Sequence, residues 1–169
     1  VQTAFQGHTA HAPSKRPYLI TRSGCAGIQR YAQTWTGDNF TSWSALKYNI
    51  PMGLSLSLSN VPNIGHDVGG FFGFKPSPEL FVRWVQNGVL HPRFTIHSWH
   101  IDKTVNEPWM FPEVTDAICS AIRFRYRLLP YLYSLFVDAS RTGENIIRPM
   151  VYDFPEDARC ADESFDFML

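Results

Sequence analysis

Short β-prone apolar runs alternate with amphipathic stretches along this chain, and three of the runs end in a charged residue close to glycine. Pro17-Tyr18-Leu19-Ile20-Thr21 leads into Arg22; the aromatic-rich segment Arg30 to Trp35 leads through Thr36-Gly37 to Asp38-Asn39; Ile64-Gly65-His66 leads into Asp67, ahead of Val68-Gly69-Gly70-Phe71. A fourth run spans Arg93 to His97. In a barrel of parallel strands the strand C-termini converge on one face, so charged residues placed there form the pattern of a sugar-binding or carboxylate-based site.

The segments between the runs predict helices. Thr41 or Ser42 can cap one in which Trp43, Leu46 and Ile50 recur at helical spacing before Pro51 interrupts. Beyond Pro51, Leu54, Leu56 and Leu58 alternate with serines as in a strand, while Ile50, Leu54 and Leu58 also fit an i, i+4 stripe. Ser77-Pro78-Glu79 combines a cap, a first-turn proline and an early acid; Phe81, Trp84 and Val85 then share one face and Gly88 stops the helix. A longer helix is predicted from about Glu113 to Ala139, where Ile118, Ile122, Arg125, Leu129, Leu132 and Phe136 keep the helical period, Pro130 kinks or splits it, and Gly143 closes it. Residues 1–16, with His8 and His11 among small and polar neighbours, suit a frayed helix end and a loop. Ile146 to Tyr152 is β-prone, and the acidic Asp157 to Asp166 is predicted to be disordered.

Composition narrows the function classes. The 169 residues suffice for one domain, whereas a whole barrel takes about 250. Formal charge is zero and no lysine or arginine run occurs, so neither nucleic acid nor an anionic membrane is an expected partner. No stretch reaches the roughly 20 apolar residues of a membrane span. Cys25, Cys119 and Cys160 are odd in number and irregularly spaced, which favours reduced thiols in a cytoplasmic protein over a disulfide framework or zinc site. Aromatic residues make up 15 % of the chain, five of them tryptophan; most serve packing, and some can offer flat faces to sugar rings.

Taken together, Thr21-Arg22-Ser23 with Ala26-Gly27 and Gln29-Arg30-Tyr31, then Trp35-Thr36-Gly37-Asp38, then Gly65-His66-Asp67-Val68-Gly69-Gly70-Phe71 closely resemble glycoside hydrolase family 31 in order and spacing. The likeness continues through Arg123 to Tyr133 and Arg148-Pro149-Met150, and it favours helix over strand for Leu54 to Leu58. It implies an α/β chain carrying part of a (β/α)8 TIM barrel. Strands 5–8 with their helices would occupy residues 1–145, strand 5 at Pro17 to Arg22, strand 6 around Tyr31 to Trp35, strand 7 at Asn63 to His66 and strand 8 at Arg93 to His97. Residues 146–169 would begin a C-terminal β-domain. The family's nucleophilic aspartate, in a Trp-x-Asp-Met-Asn-Glu type motif on strand 4, has no counterpart among these residues.

The resemblance also implies roles. Asp38 matches the acid/base carboxyl, with Trp35 as an apolar wall beside it; read locally, Asp38-Asn39 could instead cap the helix that starts near Thr41. Arg22 matches an arginine that lies beside the acid/base and reaches the sugar, though alone it would read as a structural ion-pair member. Asp67 matches an aspartate that holds Arg22 or a sugar hydroxyl, against a plain turn aspartate before Gly69-Gly70. His97 matches the strand 8 histidine that bonds ring hydroxyls, but Thr95-Ile96 before it and Trp99-His100 after it depart from the family pattern. Phe71 and Trp35 are candidates for lining the sugar subsite; Trp43, Trp84 and Trp109 read as core or interface. His66, His97, His100 and Asp67 lack the spacing of a metal site, paired-carboxylate catalysis needs no metal, and no cofactor is expected. The expected substrate is an oligosaccharide or glycoside with a terminal α-linked glucose or xylose, cleaved with retention. A non-catalytic carbohydrate-binding or scaffolding domain is the alternative. Open strand edges predict docking against the missing half of the barrel or self-association.

Overall fold

In the computed structural model, which describes residues 1–100 and 106–169, four extended segments lie side by side in chain order. Ile20 pairs in parallel with Gln33: Gln33 N–H donates to the Leu19 carbonyl at 3.1 Å, and Thr21 N–H to the Gln33 carbonyl at 3.0 Å. Thr34 and Thr36 then donate to Asn63 and Gly65, so donors and acceptors advance in the same direction. Strand β1 (Gly65–Val68) pairs in parallel with β2 (Arg93–Ile96). The first two segments are held by short bridging contacts and do not form full strands over the spans expected for them. Gly65 fixes the register of β1 on β2, because a Cβ there would collide with the Arg93 backbone.

Helix α1 (Gln2–His11) buries no residue, as its polar composition foretells. The first two extended segments are joined without a crossover helix, contrary to expectation: the connection contains only a 3-10 turn at Ile28–Arg30. Gly24, Gly27 and the shortness of the link leave no helical run, and a cavity of about 470 Å³ opens there, bounded by Cys25, Ile28, Met52, Leu56 and Val61. The next two connections are helical. Helix α2 (Trp43–Leu58) begins at Ser42, whose hydroxyl accepts from Ala45 N–H, and runs unbroken through Pro51. Proline removes one bond to the carbonyl four residues back, that of exposed Lys47, where water can take the donor's place. Leu46, Asn49, Gly53, Leu54 and Ser57 form its buried stripe, while Leu58 is half exposed.

Helix α3 (Pro78–Gly88) is capped by the Ser77 hydroxyl and lays Leu80, Phe81, Trp84 and Val85 against β1. Phe81 stacks on Phe111, with ring centroids 4.4 Å apart. Helix α4 (Thr115–Thr142) continues through Pro130 and ends at Gly143, whose φ of 83° is the left-handed closure glycine accepts. Its Ile118 and Leu132 are buried; Leu129 on the same expected stripe is exposed. Arg125 secures α4 to the α3–β2 turn by donating to the Val89, His91 and Pro92 carbonyls.

The β-prone run after Gly143 is strand only at β3 (Arg148–Pro149), which pairs antiparallel with β4 (Phe167–Met168); the chain then turns into a short helix, α5 (Met150–Asp153). Pro149 cannot donate to a ladder, and Arg148 is drawn to Asp153 by two hydrogen bonds from Nε. The acidic stretch expected to be disordered takes local structure from its own carboxylates. Asp157 accepts from Arg159 N–H, and Glu163 accepts from Phe165 and Asp166 N–H.

Candidate active site

All the charged residues singled out by sequence lie at or near the C-terminal ends of the parallel segments. Arg22 follows the first, Asp38 the second, Asp67 sits within β1 and His97 follows β2. Arg22 Nη2 donates to Asp38 Oδ1 at 2.9 Å, tying the first segment to the second. The helix-cap reading of Asp38-Asn39 fails, since Ser42 caps α2 and leaves the Asp38 carboxylate to Arg22. Asn39 shapes the turn, donating from Nδ2 to Thr36 Oγ1 and the Gly37 carbonyl, both at 2.9 Å. Trp35 lies beneath two guanidiniums, with Arg22 4.9 Å and Arg93 5.8 Å from its ring centre.

Asp67 is wholly buried and its partner is Arg93, 3.6 Å away, in place of the expected Arg22. Burial pushes its carboxyl up to about 6; Arg93 and His97 pull the other way, and the negative charge of Asp38 adds to the rise. Neither carboxylate oxygen accepts a hydrogen bond among the described residues. Arg93 itself is the site residue missed by sequence reading. Its only signal was a lone arginine opening a short β-prone run, where burial would demand an acid on the neighbouring strand.

The loop after β1 is locked onto the loop after Trp35. Phe71 and Phe72 N–H both donate to the Asn39 carbonyl, Thr41 N–H donates to Phe72, and the Phe40 and Phe72 rings meet edge to face. Gly69 and Gly70, with φ of 95° and 86°, make the reversal that brings Phe71 there. Asn106 Nδ2 donates to the carbonyls of both glycines. Phe71 is thereby placed beside His97, ring centres 5.3 Å apart, and Trp99, 5.9 Å. His97 is exposed at the strand end. Of the other tryptophans only Trp84 is core; Trp43 and Trp109 are 51 % and 73 % exposed.

Behind the site, on the helix side of β1, His66 packs against His91 with rings 4.7 Å apart, and both are fully buried. Desolvation holds each neutral: His91 is lowered to about 4, with Arg125 contributing, and His66 is lowered well below its ordinary value, with His91 and Arg93 contributing.

The model of the glycosyl hydrolases family 31 TIM-barrel domain matches residues 1–135. The chain is 45 % identical over 155 residues to the probable glucan 1,3-alpha-glucosidase of Oryza sativa subsp. japonica, and 45 % identical over 156 residues to human (Homo sapiens) neutral alpha-glucosidase C. These alignments take in 91 % and 92 % of the chain, which spans 17 % of the length of either relative. Among solved structures, the Tris-bound glucosidase II alpha subunit superposes with a TM-score of 0.89 at 40 % identity over 98 % of this chain and 18 % of its own. The GH31 dextranase of Flavobacterium johnsoniae, complexed with glucose, gives 0.91 at 30 % identity over 99 % and 22 %. Motif order, parallel segments and clustered charges agree with these matches, and the chain belongs to glycosyl hydrolase family 31.

Proposed function

We propose that this chain supplies the second half, strands 5–8, of the catalytic barrel of a retaining α-glycoside hydrolase, with residues 146–169 opening its C-terminal β-domain. One observation carries the reading: the Arg22–Asp38 pair and the buried carboxylate of Asp67, which accepts no hydrogen bond among the described residues, meet at one end of neighbouring parallel segments. In this reading Asp38 protonates the glycosidic oxygen as a nucleophile from outside these residues attacks the anomeric carbon. Asp38 then takes a proton from the water that releases the sugar. Arg22 orients the acid. Asp67, short of donors, receives sugar hydroxyls, and His97 and Trp35 line the same ring. The substrate is a terminal α-glucoside, in keeping with the alpha-glucosidase names of the relatives.

The decisive experiment replaces Asp38 by Asn in the full-length polypeptide that carries this segment. Hydrolysis of an alkyl α-glucoside is expected to fall about 10³-fold, and a dinitrophenyl glucoside, whose leaving group needs no proton, much less. With the dinitrophenyl glucoside, added azide should restore turnover by attacking the glycosyl-enzyme in place of activated water, with formation of the α-glucosyl azide. Equal losses on both substrates, or wild-type rates in the variant, would remove Asp38 from the acid/base role.

A further inference from the structure

We infer that Trp99, together with Phe71, forms the platform for the second sugar of the substrate, on the leaving-group side of the site; the inference rests on the glycosidase reading above. A row of rings runs outward from the buried carboxylate. His97 acts on Asp67 electrostatically, Phe71 packs 5.3 Å from His97, and Trp99 packs 5.9 Å from Phe71. Polarity falls along that row, and the indole at its far end is 43 % exposed. Its backbone is fixed, because Trp99 N–H donates to the Phe71 carbonyl at 2.6 Å and Phe71 N–H to the carbonyl of Asn39, the neighbour of Asp38. The aromatic shelf is therefore tied to the residue beside the acid.

The inner part of the site offers charges and hydrogen-bonding groups, which suit hydroxyls. The outer part offers a held, half-exposed indole, which suits the C–H face of a pyranose, since an apolar ring gains from covering such a face without needing a fixed hydrogen-bond pattern. The ring that lies one place beyond the cleaved sugar meets Trp99. The residue thus favours disaccharide and longer substrates over glucosides with small leaving groups.

The test uses Trp99→Ala and Trp99→Phe in the full-length enzyme, with a glucosyl disaccharide and α-glucosyl fluoride as paired substrates. Trp99→Ala is expected to lower kcat/KM for the disaccharide about tenfold, chiefly through KM, and by at least fivefold more than for the fluoride; Trp99→Phe recovers part of the loss. Calorimetry in the Asp38→Asn background should show the disaccharide weakened about tenfold by Trp99→Ala and glucose less than twofold. Equal losses on both substrates with a lowered melting temperature would make Trp99 a packing residue and overturn the inference, as would unchanged disaccharide binding. Should the wild type hydrolyse neither substrate, the glycosidase reading falls, and the calorimetric comparison still decides the role of Trp99.

Discussion

Two Arg–Asp pairs sit within the same site and differ in what they do for the fold. Arg22–Asp38 is exposed, its side chains 58 % and 36 % accessible, whereas Arg93–Asp67 is 8 % and 0 %. Solvent screens the first pair, so Arg22→Ala is expected to change unfolding free energy by less than about 1 kcal/mol. Removing Arg93 leaves a buried carboxyl without the guanidinium paired to it, and Arg93→Ala is expected to cost about 3–5 kcal/mol. Urea unfolding of the two variants at pH 7 checks the contrast; equal costs would contradict it. Sequence made one pair legible and not the other. Asp38 and Arg22 stand beside glycines in motifs, whereas Arg93 became meaningful only when the register set it beside the strand that carries Asp67.

At the level of elements, local rules located every long helix, and they erred where tertiary contacts or solvent outweighed them. Pro51 reads locally as an interruption and Pro130 as a kink or split, yet both helices continue, the lost bonds falling where water reaches the backbone: Lys47, Pro130 and Tyr126 are exposed. Ser42 and Ser77 read correctly as caps because capping depends on adjacent residues alone. The missing first crossover helix was hidden by the assumption that parallel strands need one, and the two-residue β3 by β propensities that Pro149 overrides. Gly65 had no local signal at all. Gly65→Ala would drive a methyl into the Arg93 backbone, which cannot rotate aside, and is expected to destabilise the protein by about 3 kcal/mol and pull β1 from β2. Amide exchange confined to Gly65–Val68 and Arg93–Ile96 should speed up first; exchange rising elsewhere instead would place the strain outside that pair.

For the whole molecule, acid is the condition that tests the interior. His66 and His91 are faced by each other, by Arg93 and Arg125, and by the rings of Trp84 and Phe167. Their folded pKa values are depressed, so the unfolded chain takes up protons first as pH drops below about 6.5, and the stability they allow above that pH is lost on the way down. Asp67 has the opposite sign: its raised pKa of about 6 favours the fold most below about 4, and that benefit is lost as pH rises through 6. His91 and Asp67 each amount to about 3 kcal/mol and nearly offset, which leaves His66 to set the balance, and the protein is expected to be less stable at pH 4.5 than at pH 7. Asp67→Asn should steepen that drop, and a shallower drop in the variant would reverse the assignment. The order of the parallel segments has a consequence in time as well as in space. Because neighbours in the sheet are neighbours in sequence, a ribosome releasing this stretch presents each segment just after the one it pairs with. The contacts are short-range along the chain for a parallel sheet, and loop closure is brief. Arg22, Asp38, Asp67 and His97 therefore enter the site one after another, from one side to the other, in the order in which they are translated.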